Sequence, residues 1–109
     1  MSTKITTSDW AAWVNLMLPA PTPGGTLHVV GTVDTHSADF AFLEKAVPQG
    51  KNPSILLLNL RTETGTAPAK NPQNVSYTET LQTKGQYSEV QVWYNGKLEA
   101  AITKIEEVH

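Results

Sequence analysis

A chain of 109 residues with 8 basic and 10 acidic side chains and no cysteine can bury one core, and it can do no chemistry that needs a thiol. Disulfides, thiolate nucleophiles, cysteine-ligated zinc and iron–sulfur clusters are excluded. The net charge of −2 is spread evenly, and duplex binding exchanges a concentrated basic patch for counterions, so nucleic acid is not an expected partner.

The size predicts a single domain over 1–109. The first nine residues lack the apolar segment of a signal peptide, and the apolar stretch from Trp10 to Leu18 falls short of the roughly 20 residues needed to span a bilayer. The expectation is a soluble, cytoplasmic protein, or one exported without a signal peptide, with no membrane partner.

Ser8 could cap a short helix over 10–18, in which Trp10, Trp13, Val14 and Met17 share one face at i, i+3, i+4 and i+7. An edge strand is the alternative for the same residues. Pro19, Pro21 and Pro23 then predict a stiff connection into Gly24-Gly25. Beyond it the chain is rich in Thr, Val, Ile, Tyr and Trp and is cut by Pro48-Gln-Gly50, Asn52-Pro53, Asn71-Pro72, Lys84-Gly85 and Asn95-Gly96. β-branched and aromatic residues between frequent turns mean strands.

These are expected at 26–34, 39–47, 54–62, 75–83, 87–94 and 97–105. The second could instead be a helix capped by Ser37 and ended by Pro48. The third carries Leu56, Leu58 and Leu60 on one face and Ile55, Leu57, Asn59 and Arg61 on the other, which suits a central strand apolar on both sides at its start. Residues 64–74 contain a Gly, two Pro and no large apolar side chain and read as a mobile loop. The fold class is all-β: a mainly antiparallel β-sandwich or jelly-roll-like arrangement of about six strands, with a short N-terminal helix.

Asn95-Gly96 permits two hairpin registers. A two-residue turn sets Trp93 opposite Leu98, Gln91 opposite Ala100 and Glu89 opposite Ile102, and mixes polar with apolar residues on one face. A three-residue loop pairs Val92 with Leu98, Val90 with Ala100 and Ser88 with Ile102, which makes one face continuously apolar, and it is the register expected here. Tyr87, Glu89, Gln91 and Trp93 then share the opposite face with Lys97, Glu99, Ala101 and Thr103.

That face is the first functional candidate. Trp93 and Tyr87 could form a platform for an apolar sugar face, with Gln91, Glu89, Glu99 and Lys97 taking hydroxyls, or the same residues could form a protein or homo-oligomer interface. The bland alternative is that Trp93 is simply covered by the N-terminal helix or stacks on Lys97. Asp34, His36 and Asp39 are a second candidate, a carboxylate–imidazole set on a loop that could hold a divalent metal, although such residues in turns usually bond their own backbone. Glu89 and Glu99 could be paired carboxylates, but a flat face gives no pocket to raise a carboxyl pKa. Arg61, the only arginine, could grip a carboxylate or pair locally with a Glu. His28 and His109 read as structural or exposed.

No nucleophile elbow, metalloprotease helix or phosphate-binding glycine motif occurs, and no cofactor is implied. The sequence is therefore read as a non-catalytic binding or assembly module acting through the Trp93 face, on a carbohydrate, a protein or a second copy. Two alternatives are a small enzyme or metal protein centred on Asp34, His36 and Asp39, and an inhibitor or structural subunit presenting the 64–74 loop.

Overall fold

The computed structural model describes residues 5–19 and 22–109; the readings of the first four residues and of Ala20 and Pro21 in the proline-rich connection lie outside the described residues. Eight strands follow one another: β1 (Thr6–Asn15), β2 (Thr26–Asp34), β3 (Phe40–Lys45), β4 (Ile55–Glu63), β5 (Gln73–Thr80), β6 (Glu89–Tyr94), β7 (Lys97–Ile102) and β8 (Ile105–Val108). They form two four-stranded sheets, ordered β5-β2-β1-β8 and β3-β4-β6-β7. Four strand pairings are antiparallel, while β1 with β8 and β4 with β6 run parallel. Among the described residues no helix is long and apolar enough to cross a membrane.

The two sheets pack face to face because each strand alternates. Leu27, Val29 and Val33 of the first sheet meet Leu56, Leu58, Val90 and Val92 of the second, all at 0% exposure. Burying each such side chain stabilises the fold by about 1.5–3 kcal/mol relative to leaving it in water. As expected, β4 is a central strand, between β3 and β6, and the 39–47 segment, open between helix and strand, is strand β3.

The expected N-terminal helix is wrong, and the strand count rises from about six to eight. Residues 10–14 satisfy both periods, since Ala12 and Val14 are buried on alternate positions while Trp13 faces outward. Met17, needed for the helical stripe, is 54% exposed. Pairing decides the matter: β1 bonds β2 along its length and β8 at Ala12–Asn15, so it is not simply an edge strand either. The eighth strand arises because the segment expected as one strand over 97–105 ends at Ile102 and a new strand begins at Ile105.

A β-bulge in β1 corrects its facing. Ser8 pairs with Thr32 and Ala11 with Val30, so Asp9, at φ 56°, and Trp10 together oppose Gly31. The extra residue returns Trp10 to the inner face with Ala12 and Val14. Gly31 makes room for it, because a Cβ there would run into the indole. Trp10 packs against both halves of the core.

The last hairpin follows neither register throughout. Trp93 pairs with Leu98 and Tyr94 with Lys97 across Asn95 and Gly96, whose φ values of 50° and 78° belong to the two-residue turn. The expected three-residue loop is therefore incorrect. A shift after Trp93 then pairs Val92 with Ala100 and Val90 with Ile102, leaving Glu99 as an extra residue. Val90, Val92, Ala100 and Ile102 still share one apolar face, and a bulge and not the turn aligns them.

The 64–74 loop is shorter than expected, because β5 starts at Gln73, and its second half is tied down. Ala69 N–H donates to Ala38 O at 3.0 Å, Asn71 Nδ2 to Ser37 O at 2.8 Å and Gln73 Nε2 to Asp39 O at 2.9 Å. Buried Thr35 joins the same network through its N–H to Asn71 Oδ1 at 3.2 Å.

Candidate functional site

The outer face of the second sheet carries most of the sequence-predicted site. Inward Leu56, Leu58 and Leu60 leave Ile55, Leu57, Asn59, Arg61 and Glu63 facing out from β4. Cross-strand pairing then builds rows. Phe42 lies opposite Arg61, Glu44 opposite Asn59 and Asn59 beside Trp93, which faces Leu98. Leu57 adjoins Gln91, which faces Ala101. Phe40 and Leu98 are 39% and 43% exposed; Phe42, Leu57 and Trp93 are half-buried among their neighbours.

Three of the predicted residues form one chain of hydrogen bonds. Trp93 Nε1–H donates to Gln91 Oε1 at 3.1 Å, and Gln91 Nε2–H donates to Glu89 Oε2 at 2.7 Å. Side chains two apart on a strand share a face, which is why this ladder forms. Arg61 pairs with Glu44 through Nε, the local ion pair weighed from the sequence.

The other predicted residues do not join them. Lys97 faces Tyr94 at the turn and Glu99 is the bulged residue. Tyr87 precedes β6 and turns toward the core edge, where its hydroxyl donates to Glu79 Oε2 at 2.7 Å. Phe40, Phe42, Leu57 and Leu98 belong to the face and were missed. Phe40 and Phe42 alternate with Ala41 and Leu43, an apolar pattern on both faces that signals a covered or interacting surface.

Tyr87 belongs to a different cluster, where the two sheets meet along β3 and β5. Glu79 Oε1 accepts from Tyr77 Oη at 2.6 Å and lies 3.1 Å from Lys45 Nζ. Burial works to raise the Glu79 pKa, but the hydrogen bonds from Tyr77, Tyr87 and Lys45 outweigh it and hold the carboxyl below its ordinary value. For Lys45 burial works downward, and the bonds to Glu79 and Tyr87 win, raising it. Burial, reinforced by the Glu79 carboxylate, pushes both tyrosines up. The cluster is a charged, hydrogen-bonded tie and not an activated acid or base, since every shift favours the form already present near neutrality.

Asp34, His36 and Asp39 are engaged separately. Asp34 Oδ1 accepts the His36 N–H at 2.8 Å, the turn geometry that Asp favours, and His36 Nδ1 lies 3.4 Å from the same oxygen. His36 Nε2 is 2.8 Å from Thr6 Oγ1. Asp39 Oδ1 instead accepts from Thr64 Oγ1 at 3.2 Å. Among the described residues no group of three or more His, Cys, Asp and Glu side chains is placed to hold a metal ion.

A groove of about 680 Å³ runs between β1 and β7, lined by Trp10, Ala11, Trp13, Ala101 and Ile102 among others. Trp10 Nε1 on its wall is buried and has no hydrogen-bond partner among the described residues. On the outer face of the first sheet Trp13 stacks on His28, with ring centroids 5.2 Å apart. Set against known protein families, curated proteins and solved structures, the chain matches none.

Proposed function

We propose that this protein is a non-catalytic β-sandwich binding module that makes a protein contact through the outer face of its second sheet. The observation that carries the reading is the pairing of apolar extent with internally satisfied polar groups. Phe40, Phe42, Ile55, Leu57, Trp93 and Leu98 span all four strands. The indole N–H, amide and carboxylate of Trp93, Gln91 and Glu89 are already bonded to one another. A sugar site needs free donors and acceptors to read hydroxyls, whereas a protein contact rewards desolvated aromatic and aliphatic area. Aromatic and aliphatic side chains left partly open to water on one face favour such a contact.

The test uses a Trp10→Phe/Trp13→Phe background, in which Trp93 is the sole tryptophan. Acrylamide quenching of Trp93 is followed from low to high protein concentration, with sedimentation equilibrium in parallel. Quenching that falls as oligomers form identifies a second copy as the partner. In that case Trp93→Ala weakens association about 30-fold or more, as for a central aromatic anchor. Protection by neutral oligosaccharides at constant mass would overturn the protein reading in favour of a glycan.

A further inference from the structure

We infer that the Lys45–Glu79–Tyr77–Tyr87 tie is an edge guard: it keeps β3 and β5 from pairing with strands of other molecules, and so confines association to the sheet faces. β5 is the longest edge strand in either sheet, at eight residues against six for β3 and β7 and four for β8. Its sequence Gln73-Asn-Val-Ser-Tyr-Thr-Glu-Thr80 contains no Pro or Lys, and its outward residues Asn74, Ser76, Thr78 and Thr80 are exposed. An unpaired row of backbone donors and acceptors on such a strand is a template for another chain.

Apart from β3 and β5, the free edges carry recognised blocks. β8 is short and has Glu106 and Glu107. β7 is bulged at Glu99, and the half of β1 that β8 does not cover is bulged at Asp9. β5 has one charge, Glu79, and it points inward, on the same side as buried Val75 and Leu81. Facing it from β3, the edge strand of the opposite sheet, the inward position after Ala41 and Leu43 is Lys45, 3.1 Å away. Inward charges on edge strands are a known device against edge-to-edge association, because a partner strand would have to bury them.

The tie is also well made. Both carboxylate oxygens of Glu79 are bonded, one to Tyr77 and one to Tyr87, and the Glu79 side chain is only 16% exposed. Simple stabilisation does not explain the choice of residues, since Lys45 is 41% exposed and an ion pair half open to water contributes little to stability. Specificity against wrong pairing does.

The two roles separate in the variant Lys45→Met/Glu79→Leu. The guard predicts that it folds, keeps a urea midpoint equal to or above the wild type's, and gains concentration-dependent association in sedimentation velocity. Hydrogen exchange should then slow at the amides of β3 and β5. A folded double variant that sediments as the wild type does at every concentration overturns the inference. The near-isosteric Glu79→Gln keeps the shape and removes the charge; it should associate more than the wild type, and its failure to do so overturns the inference even if the double variant does not fold.

Discussion

The outer faces of the two sheets are built on the same inward pattern and differ almost completely in what they show to water. On the first sheet β5 offers Asn74, Ser76, Thr78 and Thr80, and the aromatic pair Trp13 and His28 is spent on itself by stacking. On the second sheet Phe40, Phe42, Leu57, Trp93 and Leu98 lie in adjacent rows, and it is the polar groups, Trp93 Nε1, Gln91 and Glu89, that are spent on one another. Equal amounts of strand thus yield one face that shows mainly hydroxyl and amide groups along β5 and one that shows aromatic and aliphatic side chains among its charges. The lesson is that aromatic content does not locate a binding surface; what matters is whether the neighbouring residues already satisfy it.

Substitutions can break this comparison. The largest expected effect on stability lies on the inner side of the first sheet. Gly31→Ala forces a Cβ into the Trp10 ring and should cost about 1–3 kcal/mol, as overpacking does, read as a lowered urea midpoint. An unchanged midpoint would mean that Trp10 does not rest on Gly31. The pH dependence of the tie comes next. Glu79 is held below its ordinary 4.5, so its contribution is complete above that value and is lost as pH falls through the lower folded pKa. Lys45 is raised from 10.5 and the tyrosines from 10.0, so theirs is complete below those values and is lost as pH rises through the raised ones. The urea midpoint of the wild type should therefore fall at both ends of that window, and Lys45→Met/Glu79→Leu should lose the acid limb. Identical profiles for the two proteins would show that the tie titrates alike in the folded and unfolded chain. The smallest effect is Trp13→Ala, worth about 0.2–1 kcal/mol as a cross-strand pair and expected to leave association untouched. If Trp13→Ala weakened association as much as Trp93→Ala, the contrast between the faces would be wrong.

The candidate face was legible in the sequence only along β6, where Trp93, Gln91 and Glu89 alternate and no distant residue is needed to place them. Phe42 and Leu57 reach the same surface through β3–β4 and parallel β4–β6 pairing, and a parallel neighbour leaves no turn in the sequence to announce it. Tyr87 leaves the face because the alternation of β6 does not extend two residues before its start at Glu89.

Local chemistry determined a good deal. The absence of cysteine, the alternation of Leu56, Leu58 and Leu60, the place of the turn at Asn95-Gly96 though not its length, and the all-β class follow from residue types and spacing, because side-chain period and turn preference are properties of a few consecutive residues. Tertiary structure alone decided that 6–15 is a strand, since its apolar residues fit two periods and only pairing with β2 and β8 separates them. It also decided that Lys45 and Glu79, 34 residues apart in sequence, become the joint between the sheets. Both outcomes depend on which strands become neighbours, and that is set by the packing of the whole core and not by any local run of residues.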